Sequence, residues 1–425
     1  MSQEINKAEK QDLSLVVRAI GTDLEHTQVR MIASANADML FHYWKVGHFI
    51  LYLQKKEGWG SKVIDNLSKA IRSQYPDKKG YSRRNIFYMC QFASTYPLEV
   101  LNKMAEIDGL LKTPILEDIL SLTNELNQIV QEPLAQIQAP DNQGNTIVQQ
   151  PVAQLEEVTE TLSVIYHCDI SKIEDIFKQS AIVRTNWASH VILLNSKLPL
   201  GECYWYITQA VANGWSRNVL QMQIETNLFA RQIAAKKVSN FSVRLPKPQS
   251  DLANYLMKDP YIFDIMGQTD KMAERDVERQ LVSHITKYLL EMGSGFAFVA
   301  QQKHFEVGDS DFYADLILYN IQLHAYVVVE LKATPFKPEY MGQLNFYINV
   351  VDGTLRGEHD NKTIGLLLCN GGDKVVAQYA LSGYDQPIGV SDYQLTKAIP
   401  NNLKSALPTV EEVEEELTKI VNQDE

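Results

Sequence analysis

Sulfur and histidine are too sparse and too scattered in this 425-residue chain to build a framework of their own. Cys90, Cys168, Cys203 and Cys369 stand far apart and form no C-x-x-C pair, which excludes a zinc ribbon and a disulfide scaffold. The nine histidines include no H-x-x-x-H pair beside acidic partners. A G-x-x-x-x-G-K-[ST] phosphate loop and a G-x-S-x-G elbow are both missing, so ATP hydrolysis and serine-hydrolase chemistry lose their usual signatures. No apolar run approaches the roughly 20 residues that span a bilayer. The first residues, MSQEINKAEKQDLS, lack the apolar core of a signal peptide. A cytoplasmic protein with no membrane partner is the expectation. Positive charge is also short: 40 Lys and Arg against 52 Asp and Glu give a net charge of −12. That balance excludes a surface coated throughout for nucleic acid, but binding depends on where the cations lie.

What is present is concentrated in DFYADLILYNIQLHAYVVVELK, residues 311–332. Phe312 to Tyr319 and Ala325 to Leu331 are apolar and rich in β-branched and aromatic residues, so both read as buried strands. The polar break from Asn320 to His324 predicts an antiparallel pair. Alternation puts Glu330 and Lys332 on one face and Leu331 on the other. A turn centred near Ile321 pairs Asp315 with Val328 and sets Glu330 diagonally across from Asp315. Two buried carboxylates that close repel unless one is protonated or a cation lies between them, and a divalent metal beside Lys332 answers that need.

An Asp on one strand followed by Glu-x-Lys on the next resembles the core of the PD-(D/E)XK nucleases. The likeness extends along VAQQKHFEVGDSDFYADLILYN, VVVELKATPFKPEYMGQLNFYINVVD and NKTIGLLLCNG, and upstream to YWKVGHFI, GWGSKVIDNLSKAI, GYSRRNIFYMCQFASTYP and LPKPQSDLANYLMKDPYIFDIMG. These segments resemble the YhcG-like bacterial family of nuclease-domain proteins, with an N-terminal helical DUF1016-type region. Most of the chain is covered, except about 106–160 and the extreme C-terminus. The resemblance implies a restriction-endonuclease-like α/β (α+β) domain whose mixed central sheet is flanked by helices. It implies that Asp315 and Glu330 hold Mg²⁺ (Mn²⁺ substituting), with the Leu331 carbonyl as a further ligand. Lys332 would then orient or activate the attacking water. Glu278 matches an acidic residue on the helix before the first core strand; it falls on an apolar stripe with Leu281, Val282, Ile285 and Leu289, and also suits a first helical turn. Gln343 and Tyr347, four apart on a helix opening near Pro338 and sharing a face with Tyr340, match a Gln-x-x-x-Tyr extension of the motif and equally an ordinary amphipathic helix.

The expected divisions are a helical, helix-turn-helix-like region over 1–105, a linker or insertion over 106–160, a second helical segment over 161–245, and a bridge over 246–271. The nuclease domain is expected over 272–408 and an acidic amphipathic helix over 409–425. Between Ser61 and Gln91, seven cations (Lys62, Lys69, Arg72, Lys78, Lys79, Arg83 and Arg84) stand against Asp65 and Asp77, a surplus of about five charges. Ser82 suits an N-cap, with Ile86, Met89 and Phe92 on one face. Arg83, Arg84 and Asn85 at that helix start, with Lys78 and Lys79 before it, are candidate nucleic-acid contacts. A plain helical bundle with solvated arginines fits the same residues. GWSRNVLQMQIET echoes GYSRRNIFYMCQF, which suggests a duplicated unit and adds Arg217 to the candidates. Nucleic acid, DNA foremost, is the expected substrate, and a homodimer would supply two active sites for two strands. A non-catalytic binding or assembly protein, or a junction resolvase on the same fold, are the alternative readings.

Overall fold

The structure is a computed structural model that describes residues 31–52, 62–107, 115–129, 162–264 and 289–396, apart from 32, 78, 79, 164, 290 and 294. These residues fall into two compact units, one drawn from 1–110 and 122–212, the other from 111–121 and 213–425.

The first unit is helical. Its elements are α1 (33–52), α2 (Lys62–Gln74), α3 (Arg83–Thr95), α4 (Leu98–Ile107), α5 (Leu116–Ile129) from Leu122 on, α6 (Ile170–Gln179), α7 (Trp187–Ser196) and α8 (Leu200–Ala212). Aromatic residues fill the centre: the rings of Phe41 and Phe177 are 5.2 Å apart, and the buried Trp44 indole donates to the Tyr96 carbonyl at 2.8 Å. Gly47 lets α1 lie against α3, since a Cβ there would come 2.1 Å from the Met89 carbonyl oxygen. Two expectations are corrected here. Part of the supposed linker over 106–160 is helix α5, whose first turn carries Glu117 and Asp118 and whose Asn127 accepts from the Gly201 amide at 2.7 Å. Of the second helical segment expected over 161–245, residues up to 212 fall in this unit and the rest in the other. Its α6 and α7 supply core rings to the helices before residue 107, so hydrophobic burial joins what sequence distance separates.

The second unit contains α9 (Arg217–Glu225), β1 (Val238–Ser239), α10 (Phe241–Arg244), α11 (Gln249–Leu256), β2 (Tyr261–Asp264), β3 (Phe296–Val307), β4 (Ser310–Asn320), β5 (Ala325–Lys332), α12 (Tyr340–Thr354), β6 (Ile364–Cys369), α13 (Lys374–Leu381) and β7 (Ile388–Thr396). The seven-stranded sheet runs β1-β7-β6-β5-β4-β3, with β2 also paired to β7. It is mixed: β3, β4 and β5 are antiparallel neighbours, while β5, β6 and β7 are parallel. Parallel neighbours need crossovers, and α12 and α13 supply them. Leu316, Leu318, Val327, Val329 and Leu331 face one core with Phe241, Leu256 and Tyr261. Ile317, Val328, Leu367 and Val390 face the other, covered by Met341, Leu344, Ile348 and Val351 of α12 and Ala377 and Leu381 of α13. Gly365 lets α12 rest on β6; a Cβ there would meet Ile348 Cδ1 at 2.6 Å.

The expected bridge over 246–271 therefore belongs to the sheet domain. Tyr261 and Phe263 are core residues, and their strand pairs with β7 from Tyr261↔Tyr393 to Asp264↔Thr396. A buried ion cluster fastens this region. Arg231 Nη1 donates to Glu291 Oε1 at 2.5 Å, the Ile262 amide donates to the same oxygen at 2.9 Å, and Lys258 donates to the Glu291 carbonyl. Arg231 also donates from Nε to the Thr226 carbonyl at 2.8 Å. The C-terminal helix expected over 409–425 lies outside the described residues.

Candidate active site

The β4–β5 register runs from Asn320↔Ala325 to Leu316↔Val329, so Val328 pairs with Ile317 and not with Asp315. The expected register was two residues out. The cause is the turn: the Asn320 side chain accepts from the amides of Gln322 and Leu323 at 3.1 and 2.9 Å, which keeps Asn320 as the last strand residue and confines the turn to 321–324. A two-residue slip preserves the facing side of each chain. It also moves Asp315 from a diagonal position to one step past the last pair, the position opposite Glu330.

There the strands part. The Asp315 carboxylate accepts the Leu331 amide at Oδ2 (3.0 Å), taking a donor that a continued ladder would have used. Its Oδ1 accepts from Gln302 Nε2 at 3.1 Å. Gln302 has φ +42°, a left-handed conformation inside β3 that a residue with a Cβ adopts at a cost of about 1–2 kcal/mol. Gln301 pairs with Leu316 and Lys303 with Ala314 in one register, and the bulge of this hairpin falls earlier, between Phe298 and Ala300, so the left-handed Gln302 is a separate local distortion. Such a distortion persists where surrounding structure fixes it, and here it turns an amide onto an acidic group.

Glu330 follows Val328 on the α12 side of β5 and is fully buried. Lys332, two residues on, donates from Nζ to Glu330 Oε1 at 2.8 Å and keeps 13% of its side chain exposed. The Lys332 ammonium also lies 5.5 Å from the ring centroid of Tyr340, whose hydroxyl meets Thr334 Oγ1 at 2.6 Å. Of the expected pair on α12, Gln343 is exposed, while Tyr347 is buried in the core beside the Phe346 ring at 5.7 Å. Sequence reasoning gave no role to Gln302 or Thr334, and put Tyr340 on the helix face without a task. The only sequence signal for Tyr340 was its place at the first turn after the Glu-x-Lys strand.

The other candidates divide. Glu278, Lys78 and Lys79 lie outside the described residues. Arg83 is exposed and pairs with Asp65 at 3.0 Å, and Arg84 lies over the Tyr88 ring at 5.6 Å and donates to its hydroxyl. Asn85 makes contacts within the fold: its amide donates to the Gly80 carbonyl at 2.5 Å and its Oδ1 accepts from the Trp187 indole at 2.7 Å. Arg217 is exposed at the start of α9. Its turn matches that before α3 in detail. Gly80 and Gly214 both have positive φ (+101° and +60°), and Ser82 and Ser216 both accept from the amide three residues on. Burial pushes His48 down to about 3 and His190 down to about 4, so both are neutral core groups near pH 7.

Among the described residues no group of three or more His, Cys, Asp or Glu side chains forms a metal-holding cluster. Two carboxylates, Asp315 and Glu330, with the Leu331 carbonyl next to Glu330 in sequence, make an all-oxygen donor set. That suits Mg²⁺, which is held through one or two carboxylates and keeps several waters.

The sheet, with its Asp, Glu and Lys gathered where β4 leaves β5, agrees with what the family comparison finds. Residues 254–408 match the YhcG PDDEXK nuclease domain, and residues 19–110 match the DUF1016 N-terminal domain. Over 254–408 the chain is thus similar to PD-(D/E)XK nuclease domains, and over 19–110 to a DUF1016 N-terminal domain. Its match begins before residue 272, in keeping with α11 and β2 as parts of the domain. Among individual proteins it is similar to "Putative nuclease YhcG" of Escherichia coli (strain K12), at 28% identity over 213 residues. That match covers 50% of this chain and 57% of the relative, so the chain spans just over half of that protein's length. A crystal structure of a repair endonuclease from Pyrococcus abyssi matches over 31% of this chain and 50% of that one, at 14% identity and TM-score 0.21, too slight a likeness to bear on the fold. No helix among the described residues is long and apolar enough to cross a membrane.

Proposed function

We propose that the chain is an Mg²⁺-dependent endonuclease acting on DNA in the cytoplasm, with Mn²⁺ able to replace the ion. The observation that carries this reading is the Asp315 carboxylate on the Leu331 amide, one step past the last β4–β5 pair, with Lys332 on the neighbouring Glu330 carboxylate. Asp315, Glu330 and the Leu331 carbonyl would hold the metal, and Glu278 would complete the acidic set. A bound divalent ion supplies positive charge beside the phosphate and makes a coordinated water more acidic. Lys332 holds the attacking water in line with the leaving oxygen and stabilises charge that develops on the phosphate. Gln302 and the Leu331 amide fix the Asp315 carboxylate, so its oxygens need no reorganisation when substrate arrives. Gln343, exposed on α12, is available to the nucleic acid, and Tyr347 supports it from the core. Arg83, Arg84, Lys78, Lys79 and Arg217 hold the phosphate backbone through charge, and a homodimer brings one site to each strand.

The test is incubation of the purified chain with plasmid, linear, branched and single-stranded DNA, and with RNA, in Mg²⁺ or Mn²⁺. Cleavage of DNA is expected only with the metal. Asp315→Asn, which keeps an acceptor for the Leu331 amide but loses the charge, is expected to abolish it while binding survives. Undiminished cleavage by that variant refutes the assigned role, and preference for RNA or for branched DNA alone revises the substrate.

A further inference from the structure

We propose that the outward face of the β3–β4 hairpin is a nucleotide-stacking site, in which the Tyr313 ring, braced by His304, receives an unpaired base next to the phosphate being cut. This deepens the nuclease reading, on which it rests, by naming the form of substrate. The site originates in the alternation of the hairpin. On one face Phe305, Phe312 and Ala314 pack towards α12, with the Phe312 ring 4.5 Å from that of Phe346. Tyr313 and its cross-strand partner His304 then point outward, and both are exposed. Their ring centroids lie 5.0 Å apart with an interplanar angle of 31°. The imidazole is held in turn, since its Nε2 lies 2.5 Å from Asp311 Oδ1.

The same face leads to the acidic site. Ala314 and Leu316 are buried while Tyr313 and Asp315 are not, so the carboxylate stands on the ring's side of β4. Gln302, two residues before His304, reaches Asp315 Oδ1 across the strands at 3.1 Å, one step along the hairpin from the ring pair. A base lying on Tyr313 is therefore about 7 Å along the strand from Asp315, beside a phosphate held there. Charge selects what this face can hold. Towards the hairpin tip Glu306, Asp309 and Asp311 stand against Lys303, so a phosphate backbone running along the tip is repelled. What stays attractive is the ring, half of whose residue surface is open (50%). Every base has a π face to set on such a ring, but the face is free only when the nucleotide is out of the duplex stack. An unpaired nucleotide beside the scissile phosphate meets both conditions.

The test uses the full chain and two probes: a fully paired DNA duplex, and the same duplex with one unpaired adenine nucleotide. Affinity is measured in EDTA and again in Ca²⁺, which takes oxygen ligands. Tyr313→Thr and Tyr313→Gln remove the ring; Tyr313→Phe and Tyr313→Trp keep one. Wild type is expected to bind the unpaired probe more tightly than the paired duplex. The ring-less variants are expected to lose about 5- to 150-fold on the unpaired probe while holding the paired duplex as wild type does. Tyr313→Phe and Tyr313→Trp stay near wild type, and His304→Thr falls between the two groups. Making the unpaired nucleotide abasic is expected to cost wild type as much as losing the ring, and to cost the ring-less variants almost nothing, because both changes remove one contact. Undiminished affinity in both ring-less variants, equal losses on the two probes in both, or an abasic penalty that persists without the ring overturns the proposal. So does a wild type that binds the two probes equally. A wild type that shows the stacking preference yet cuts neither probe in Mg²⁺ or Mn²⁺ refutes the nuclease reading and leaves the stacking site standing.

Discussion

Replacing Lys332 with Met removes the ammonium from a buried carboxylate while keeping most of the stem's volume. The pair is tight, at 2.8 Å, and little of it is open to water: Glu330 has 0% exposure and Lys332 13%. Screening is therefore slight, and removal of one partner from such a pair costs about 3–5 kcal/mol, because the remaining charge keeps its desolvation penalty. Adding Glu330→Gln removes that charge as well, so the double variant is expected to return to within about 1 kcal/mol of wild type. The chain holds two compact units that need not unfold together, so a single denaturation midpoint is the wrong readout. Amide hydrogen exchange in β5 and β6 reports the sheet domain directly. At about 1.4 kcal/mol per tenfold change, the single variant is expected to speed exchange of its slowest amides by about 100- to 4000-fold. Under the metal reading, Mg²⁺ slows that exchange more in Lys332→Met than in wild type. If exchange in β5 is the same in the single variant and in wild type, Lys332 does not neutralise Glu330, and the charge balance assigned to the site is wrong.

Two further outcomes follow from other parts of the molecule. Burial pushes the Lys258 ammonium down to about 8, against an opposing pull from Glu291. Between about pH 8 and 10.5 the unfolded chain binds the extra proton, so stability of the sheet domain rises with pH in that window, by on the order of 3 kcal/mol. Lys258→Met, which leaves Glu291 paired with Arg231, is expected to flatten that rise; an unchanged exchange profile across the window refutes the assignment. In the helical unit, Arg83→Gln with Arg84→Gln is expected to weaken DNA binding and reduce the slope of log K against log salt by about two. Arg83 gives up only an exposed pair with Asp65 to reach a phosphate, an exchange that costs little. A slope identical to wild type removes this helix start from the nucleic-acid surface.

What the sequence made legible was periodic, and what it hid was long-range. Alternation alone put Glu330 and Lys332 on one face and Leu331 on the other, because a β-strand has a period of two whatever its neighbours are. The register depended instead on how Asn320 used its side chain, a choice between strand end and turn that composition does not encode. β1 and β2 escaped notice because strands of two and four residues leave no periodic trace; they exist through pairing with β7, about 150 and 130 residues away in the chain. The partner of Asn85 was hidden for the same reason. Beside two arginines at a helix start it looks like a contact for nucleic acid, but its acceptor is taken by Trp187, 102 residues on.

Gln302 and Tyr340 show where chemistry hides from pattern. Each lies one element away from the acidic pair, Gln302 at an exposed left-handed position of β3 and Tyr340 at the first turn of a helix, and neither position is marked by strand or helix periodicity. The motif supplies the charges, while the irregular neighbours decide where those charges stand. Two chains sharing Asp315, Glu330 and Lys332 but differing at 302 are therefore expected to share a fold and differ in rate.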